Sequence, residues 1–179
     1  MNFEAGPLAA ETMDGLKHVS STASSLAVSP QAIQLFSEGL RRLERAEISQ
    51  AVLCFERALE RSPQFADAHV ALGVAHAVEC RVYPALDHLH RAADIEPANF
   101  NAHFKLAQIY FKLRIPRKGY EEAQWALECA TAREHRQRVA QLLRDERERS
   151  RNAVLRPTWS RPWTRVGIAM LACAGVFAV

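Results

Sequence analysis

Apolar positions along this chain recur at helical spacing, as in Val70, Leu72, Val74 and Val78, and again in Phe104, Leu106, Ile109, Phe111 and Leu113. No stretch alternates apolar and polar residues over a useful length, which argues against a sheet. The pattern also repeats, with a period of about 34 residues. Ala51, Phe55, Ala58 and Pro63 return one period later as Ala85, Leu89, Ala92 and Pro97, and a weaker third set follows as Gly119, Ala123, Ala126 and Thr131. Upstream of each set lies a small residue at the same spacing, Gly39, Gly73 and Ala107. Small residues on both helices of a unit let the two backbones approach closely. Pro63 and Pro97 stand where one unit ends and the next helix is expected to begin, because proline in a first helical turn sacrifices no intrahelical bond. The expectation is two helices per unit and an all-α fold.

This spacing resembles the tetratricopeptide repeat (TPR) family, whose unit pairs a Leu-Gly step in its first helix with an Ala-x3-Phe-x2-Ala-x4-Pro set in its second. The resemblance spans about residues 32 to 133 and implies a solenoid of three antiparallel helix pairs plus a carboxyl-terminal capping helix. It departs from the family at the fourth position, which holds Leu35, His69 and His103, and at Glu38 in place of the Leu. In TPR proteins the concave face is built from positions two, five, nine, twelve and thirteen of the first helices. The resemblance therefore implies a peptide-binding groove of Ile33, Phe36, Leu40, Leu43 and Glu44, then Asp67, Val70, Val74, Ala77 and Val78, then Asn101, Phe104, Gln108, Phe111 and Lys112. Such a groove is apolar with a few polar points and suits an apolar peptide or an amphipathic helix. The protein itself can also fill it, through its capping helix, its amino-terminal segment or a second copy. Chaperone-binding members clamp a terminal carboxylate with Lys, Asn and Arg. Here the matching positions are Phe36, Leu40 and Ala71, with only Asn101 and Lys105 polar, so that activity is not expected.

The flanks are of different material. Residues 1–29 hold a Ser/Thr cluster with little periodicity and read as disordered, without the basic region that opens a secretory signal. Residues 30–133 form the repeat domain, with units at about 32–65, 66–99 and 100–133, and 134–152 read as a basic capping helix. Ten of the 23 Lys and Arg residues lie between 133 and 165 against four acids, so the net charge of +3 comes from this segment. Within 153–165, a Pro/Trp-rich linker, Trp159, Arg161, Trp163 and Arg165 have the composition of the inner edge of a membrane helix. Residues 166–179 then carry no charge or strongly polar group. As a helix they reach about 21 Å against a hydrocarbon core of about 30 Å, a gap narrowed by counting back to Trp163 with Arg165 snorkelling. The expectation is a membrane-associated protein whose repeat domain faces the cytoplasm. The alternatives are a tail packed on the repeats and a longer membrane segment cut short.

Cys54, Cys80, Cys129 and Cys173 form no CxxC pair and read as reduced and buried. His69, His76 and His103 fall on packing positions and read as core residues, whereas His88 and His90 point to different helix faces and make no ready chelate. No metal or cofactor is expected. Gly-rich phosphate loops, HExxH and GxSxG are absent, so no enzyme is expected either. The arginine run beside an apolar tail is better matched to anionic lipid than to nucleic acid, which is not an expected partner. These features point to a non-catalytic protein-interaction scaffold held at a membrane, with a regulatory subunit or fragment of a larger membrane enzyme or secretion assembly as the alternative. The partner and the oligomeric state are not specified by the sequence.

Overall fold

The computed structural model describes residues 28–154, in which every regular element is an α-helix. The helices are α1 Pro30–Glu44, α2 Ile48–Arg61, α3 Ala66–Val78, α4 Val82–Ile95, α5 Phe100–Lys112, α6 Pro116–Glu128 and α7 Arg133–Val154. The disordered segment expected at the amino terminus falls outside the described residues but for its last two positions. So do Trp159, Arg161, Trp163, Arg165, Cys173 and the apolar run 166–179. Among the described residues no helix is long and apolar enough to cross a membrane. The chain divides into two compact units, Met1–Val139 and Ala140–Val179. The first contains α1 to α6 and the opening turns of α7. In the second, the described residues continue α7, where Arg149 donates to Glu146 at 2.9 Å.

Within the first unit the helices pack as pairs, α1 with α2, α3 with α4 and α5 with α6, and consecutive first helices also touch, α1 with α3 and α3 with α5. Each pair closes where one helix is bare. A methyl group on Gly39 of α1 would meet the Phe55 ring of α2 at 2.5 Å, and one on Gly73 of α3 would meet Leu89 of α4 at 2.8 Å and the Ala85 carbonyl at 3.0 Å. In the third pair the roles are exchanged. Ala107 and Ala123 replace the Gly and the large residue, and the volume comes instead from Phe111 of α5, which fills the space over Gly119 of α6 at 2.6 Å. The interior is close-packed in all three pairs, with Phe55, Leu89 and Phe111 at most 1% exposed.

The turns repeat as strictly as the contacts. Ala46, Cys80 and Arg114, each one repeat from the next, have φ of 60°, 59° and 60°. Each closes a Schellman motif at the end of its first helix: Glu47 N–H donates to Arg42 and Ala46 N–H to Leu43, at 2.9 and 3.0 Å, and the Arg81–His76 and Ile115–Tyr110 bonds repeat the pattern at 2.9 and 3.0 Å. Cys80 is therefore an exposed turn residue and not buried as the sequence implied, while Cys54 and Cys129 are half-buried. All three are free thiols.

Helix starts are set locally. Ser29 caps α1 by accepting the Ala32 N–H at 3.2 Å ahead of Pro30, and Asn99 caps α5 by accepting the Ala102 N–H at 3.0 Å. Pro63 and Pro97 open no helix. They follow the caps Ser62 and Glu96, and the next helices begin at Ala66 and Phe100, so the prolines terminate what precedes them. Glu38, which stands where the family pattern has Leu, is half-exposed and bonds Arg41 and Arg42, and Arg42 reaches Gln50 of α2.

A residue with a side chain in the left-handed region costs about 1–2 kcal/mol, a cost glycine avoids. Ala46→Gly and Cys80→Gly are each expected to stabilise the fold by about 0.5–1 kcal/mol in urea titration. Glu56→Gly, at an exposed position inside α2, is expected to cost about 1 kcal/mol.

Candidate functional site

The first helices of the three units present equivalent positions once per repeat, and packing sorts these into used and available ones. Phe36 is 7% exposed, with its ring centroid 5.8 Å from that of Phe55 and 5.0 Å from that of Phe65. Leu43 joins the same core, and Val70 packs with Leu89, Ala92, Ala102 and Leu106 between α3, α4 and α5. Phe111 is 1% exposed, held over Gly119 with Tyr120 edge-on at 5.1 Å. Val74 is also buried. A peptide lying on these helices would not meet those five side chains, which are occupied in building the pairs.

Phe104 is covered by another route. The opening turns of α7 lie across it: the Arg138 guanidinium is 5.0 Å from the Phe104 ring, and His135 stacks on Phe100 with centroids 3.9 Å apart and planes 6° from parallel. Phe100 in turn stacks on Phe104 at 5.5 Å. The start of the capping helix thus fills the fifth position of the third unit. Lys105 is 4% exposed, with its ammonium 5.8 Å from the Phe104 ring.

What remains available is a mixed surface. Ile33 is 47% exposed, Glu44 and Lys112 are exposed, and Leu40, Ala77, Val78, Asn101 and Gln108 are half-buried. Asp67 shares the second position with Ile33 and Asn101. Burial, and secondarily the negative charge of Glu96, raise its carboxyl from 3.8 to about 6, while a hydrogen bond from Asn99 opposes them. Asn99 also donates to Glu96 at 2.9 Å. The half-buried carboxylate is a point of electrostatic strain at the middle of this face. The place of Asp67 on the face is legible in the sequence but its raised pKa is not, since burial and the charge of Glu96 at the end of α4 both depend on the packing.

A second concavity, of about 590 Å³, lies between α3 and α4 and is lined by His69, Tyr83, Pro84, Asp87, His88, His90, Arg91 and Asp94. Sequence spacing does not reveal it, because its lining comes from two helices. Among the described residues no group of three His, Cys, Asp or Glu side chains could hold a metal ion.

No family profile matches the chain. A stretch of 92 residues is 32% identical to the peroxisomal targeting signal receptor of Yarrowia lipolytica, covering 51% of this chain and 14% of that protein. The chain thus spans about one seventh of the length of that relative. Among solved structures, the Sgt2 TPR domain from Aspergillus fumigatus superposes with a TM-score of 0.62 at 20% identity, over 72% of this chain and 87% of that one. The type III secretion translocator chaperone SycD of Yersinia enterocolitica, in an alternative dimer, superposes with a TM-score of 0.63 at 15% identity, over 68% and 96%. The chain therefore has the all-helical, paired fold of tetratricopeptide proteins. The names these relatives carry are those of a receptor, a TPR domain and a chaperone, none of them an enzyme.

A carboxyl whose folded pKa is raised disfavours folding once it ionises, so the cost of Asp67 appears as pH rises from 3.8 through about 6. Asp67→Asn is expected to be more stable than the parent at pH 7, by on the order of 1 kcal/mol. The difference should vanish by pH 4. Thermal melts of both forms between pH 4 and pH 8 check the sign.

Proposed function

We propose that this protein is a non-catalytic interaction module that binds an extended peptide or amphipathic helix along the shared face of its first helices. The observation that carries the reading is the set of accessible side chains at matched positions on consecutive first helices. Ile33, Asp67 and Asn101 occupy one such row, while Leu40 and Gln108 occupy another. An apolar end at α1 and a polar end at α5, with an acidic residue between, favour a ligand that presents an apolar anchor followed by a basic or hydrogen-bonding residue. The receptor and chaperone names of the relatives support the same class of function. Attachment to a membrane through residues 166–179 belongs to this reading on sequence grounds, with Trp159, Arg161, Trp163 and Arg165 at the interface.

A helical peptide selected by display against the full chain, and titrated into isotope-labelled protein, provides the test. Chemical-shift changes are expected to gather at Ile33, Leu40, Val78, Asn101 and Gln108. Leu40→Asp should weaken binding at least about tenfold, equivalent to about 1.4 kcal/mol, with helicity retained. Shifts confined to exposed second-helix residues such as Leu53 and Trp125 would remove the face from consideration. In the same preparation, full-length protein should resist alkaline extraction from membranes, and its release would count against the attachment.

A further inference from the structure

His69 and His103 stand one repeat apart, at the same position of their units, and make the same backbone bond. The Nε2 of His69 lies 3.1 Å from the Pro63 carbonyl oxygen, and the Nε2 of His103 lies 3.0 Å from that of Pro97. A carbonyl only accepts, so both Nε2 atoms carry the hydrogen and each imidazole ties its first helix to the turn before it. The other ring nitrogen faces the second helix, and there the units differ. His103 Nδ1 meets the Glu122 carboxylate at 2.8 Å, whereas His69 Nδ1 meets His88 Nδ1 at 3.1 Å. His88 and Glu122 are themselves one repeat apart, so a single repeat position holds a carboxylate in one unit and an imidazole in the other.

Hydrogen placement follows from this. In the third unit a protonated His103 donates from both nitrogens, to Pro97 and to Glu122, and both acceptors are satisfied. A neutral His103 would set a bare nitrogen against a carboxylate. In the second unit His69 has its hydrogen on Nε2, so its Nδ1 accepts and His88 must donate from Nδ1. A first proton leaves one Nδ1–H···Nδ1 bond between the rings, with His88 carrying it on Nε2 or changing tautomer to accept from His69, but a second proton sets two N–H groups face to face across 3.1 Å. Nor does the surrounding offer relief. His88 is stacked between His69 and His76, with centroids 5.4 and 5.6 Å away, and His76, 4% exposed, has an Nδ1 without a hydrogen bond.

We propose that these two equivalent clasps form a pH-sensitive device in which acidification loosens the α3/α4 pair while holding the α5/α6 pair shut. The direction of each group agrees. Burial, and with it the neighbouring His69 and His76, lower His88, opposed by Asp87; burial also lowers His69, with Arg91 adding and the Pro63 carbonyl opposing. The Glu122 hydrogen bond raises His103 against burial, helped by the Pro97 carbonyl and the charge of Glu122. Groups below their ordinary 6.5 cost stability as pH falls past that value, and a group above 6.5 contributes stability that is lost as pH rises through its folded pKa. Other groups around the second clasp are Glu79, 3.8 Å from His76 and bonded by Ser49 of α2, and Asp94 and His90 in the adjoining concavity. Asp67 at the start of α3 works in the opposite sense, since its protonation relieves strain. The concavity between α3 and α4 gives solvent a path to the imidazoles.

The test uses the full chain and reads amide exchange, corrected for intrinsic rates, at pH 7.5 and 5.5. Amides of α3 and α4 are expected to open about tenfold more readily at the lower pH, while those of α5 and α6 do not. His88→Glu, which copies Glu122 into the second unit, should abolish the acid response of α3 and α4. Glu122→Gln should remove the protection of α5 and α6 at low pH. Nitrogen-15 spectra of the unaltered protein supply a readout independent of any variant: hydrogen on Nε2 of His69 and on Nδ1 of His88 at pH 7.5, with both titrating below His103. Equal opening of the two pairs at both pH values, an acid response that survives in His88→Glu, or the reverse tautomers would overturn the proposal.

Discussion

Each helix pair closes at a point where one partner has no side chain and the other has a large one. That contact sets the distance between the two backbones, and the Schellman turns and the row of first-helix faces follow from it. At Gly39 and Gly73 the bare residue is on the first helix and the filler, Phe55 or Leu89, is on the second. At Gly119 the arrangement is inverted, with Phe111 supplied by the first helix. What the fold keeps from pair to pair is therefore the volume at the crossing and not the residue that provides it.

The same economy governs the positions available for binding. Large apolar residues on the first helices are drawn into the crossings, as with Phe36, Leu43 and Phe111, so the face left for a ligand is more polar than the sequence suggests. Where a large residue does project, at Phe104, the chain's own α7 supplies Arg138 to cover it. The covering shields an apolar surface that the third unit would otherwise expose.

The helix pairing and its register were legible in the sequence because small residues at a fixed period admit few alternatives. Gly39, Gly73, Ala51, Ala58, Ala85 and Ala92 fall in the interior where the spacing placed them. The left-handed turn residues were not legible. Ala46, Cys80 and Arg114 have nothing chemical in common, and the backbone geometry is imposed on them by the pairing on either side. Pro63 and Pro97 precede the helix starts at Ala66 and Phe100 instead of forming them, because a proline suits the end of one helix as well as the start of another. On the candidate face, position alone could not separate residues that point at a ligand from those that point at the second helix. That distinction depends on which partner in each crossing is large, and the third pair inverts it. The histidine clasps were not legible for a similar reason, since His69 with His88 and His103 with Glu122 join different helices.

A double-mutant cycle at the first crossing tests the volume constraint most directly. Gly39→Ala should destabilise the parent by about 1–3 kcal/mol, because its methyl group has only the Phe55 ring to displace. In a Phe55→Ala background the same substitution should cost nothing or become mildly stabilising, as alanine favours a helix over glycine by about 1 kcal/mol. The coupling between the two sites should thus reach about 1–4 kcal/mol. Strictly additive effects, with Gly39→Ala equally costly in both backgrounds, would contradict the account.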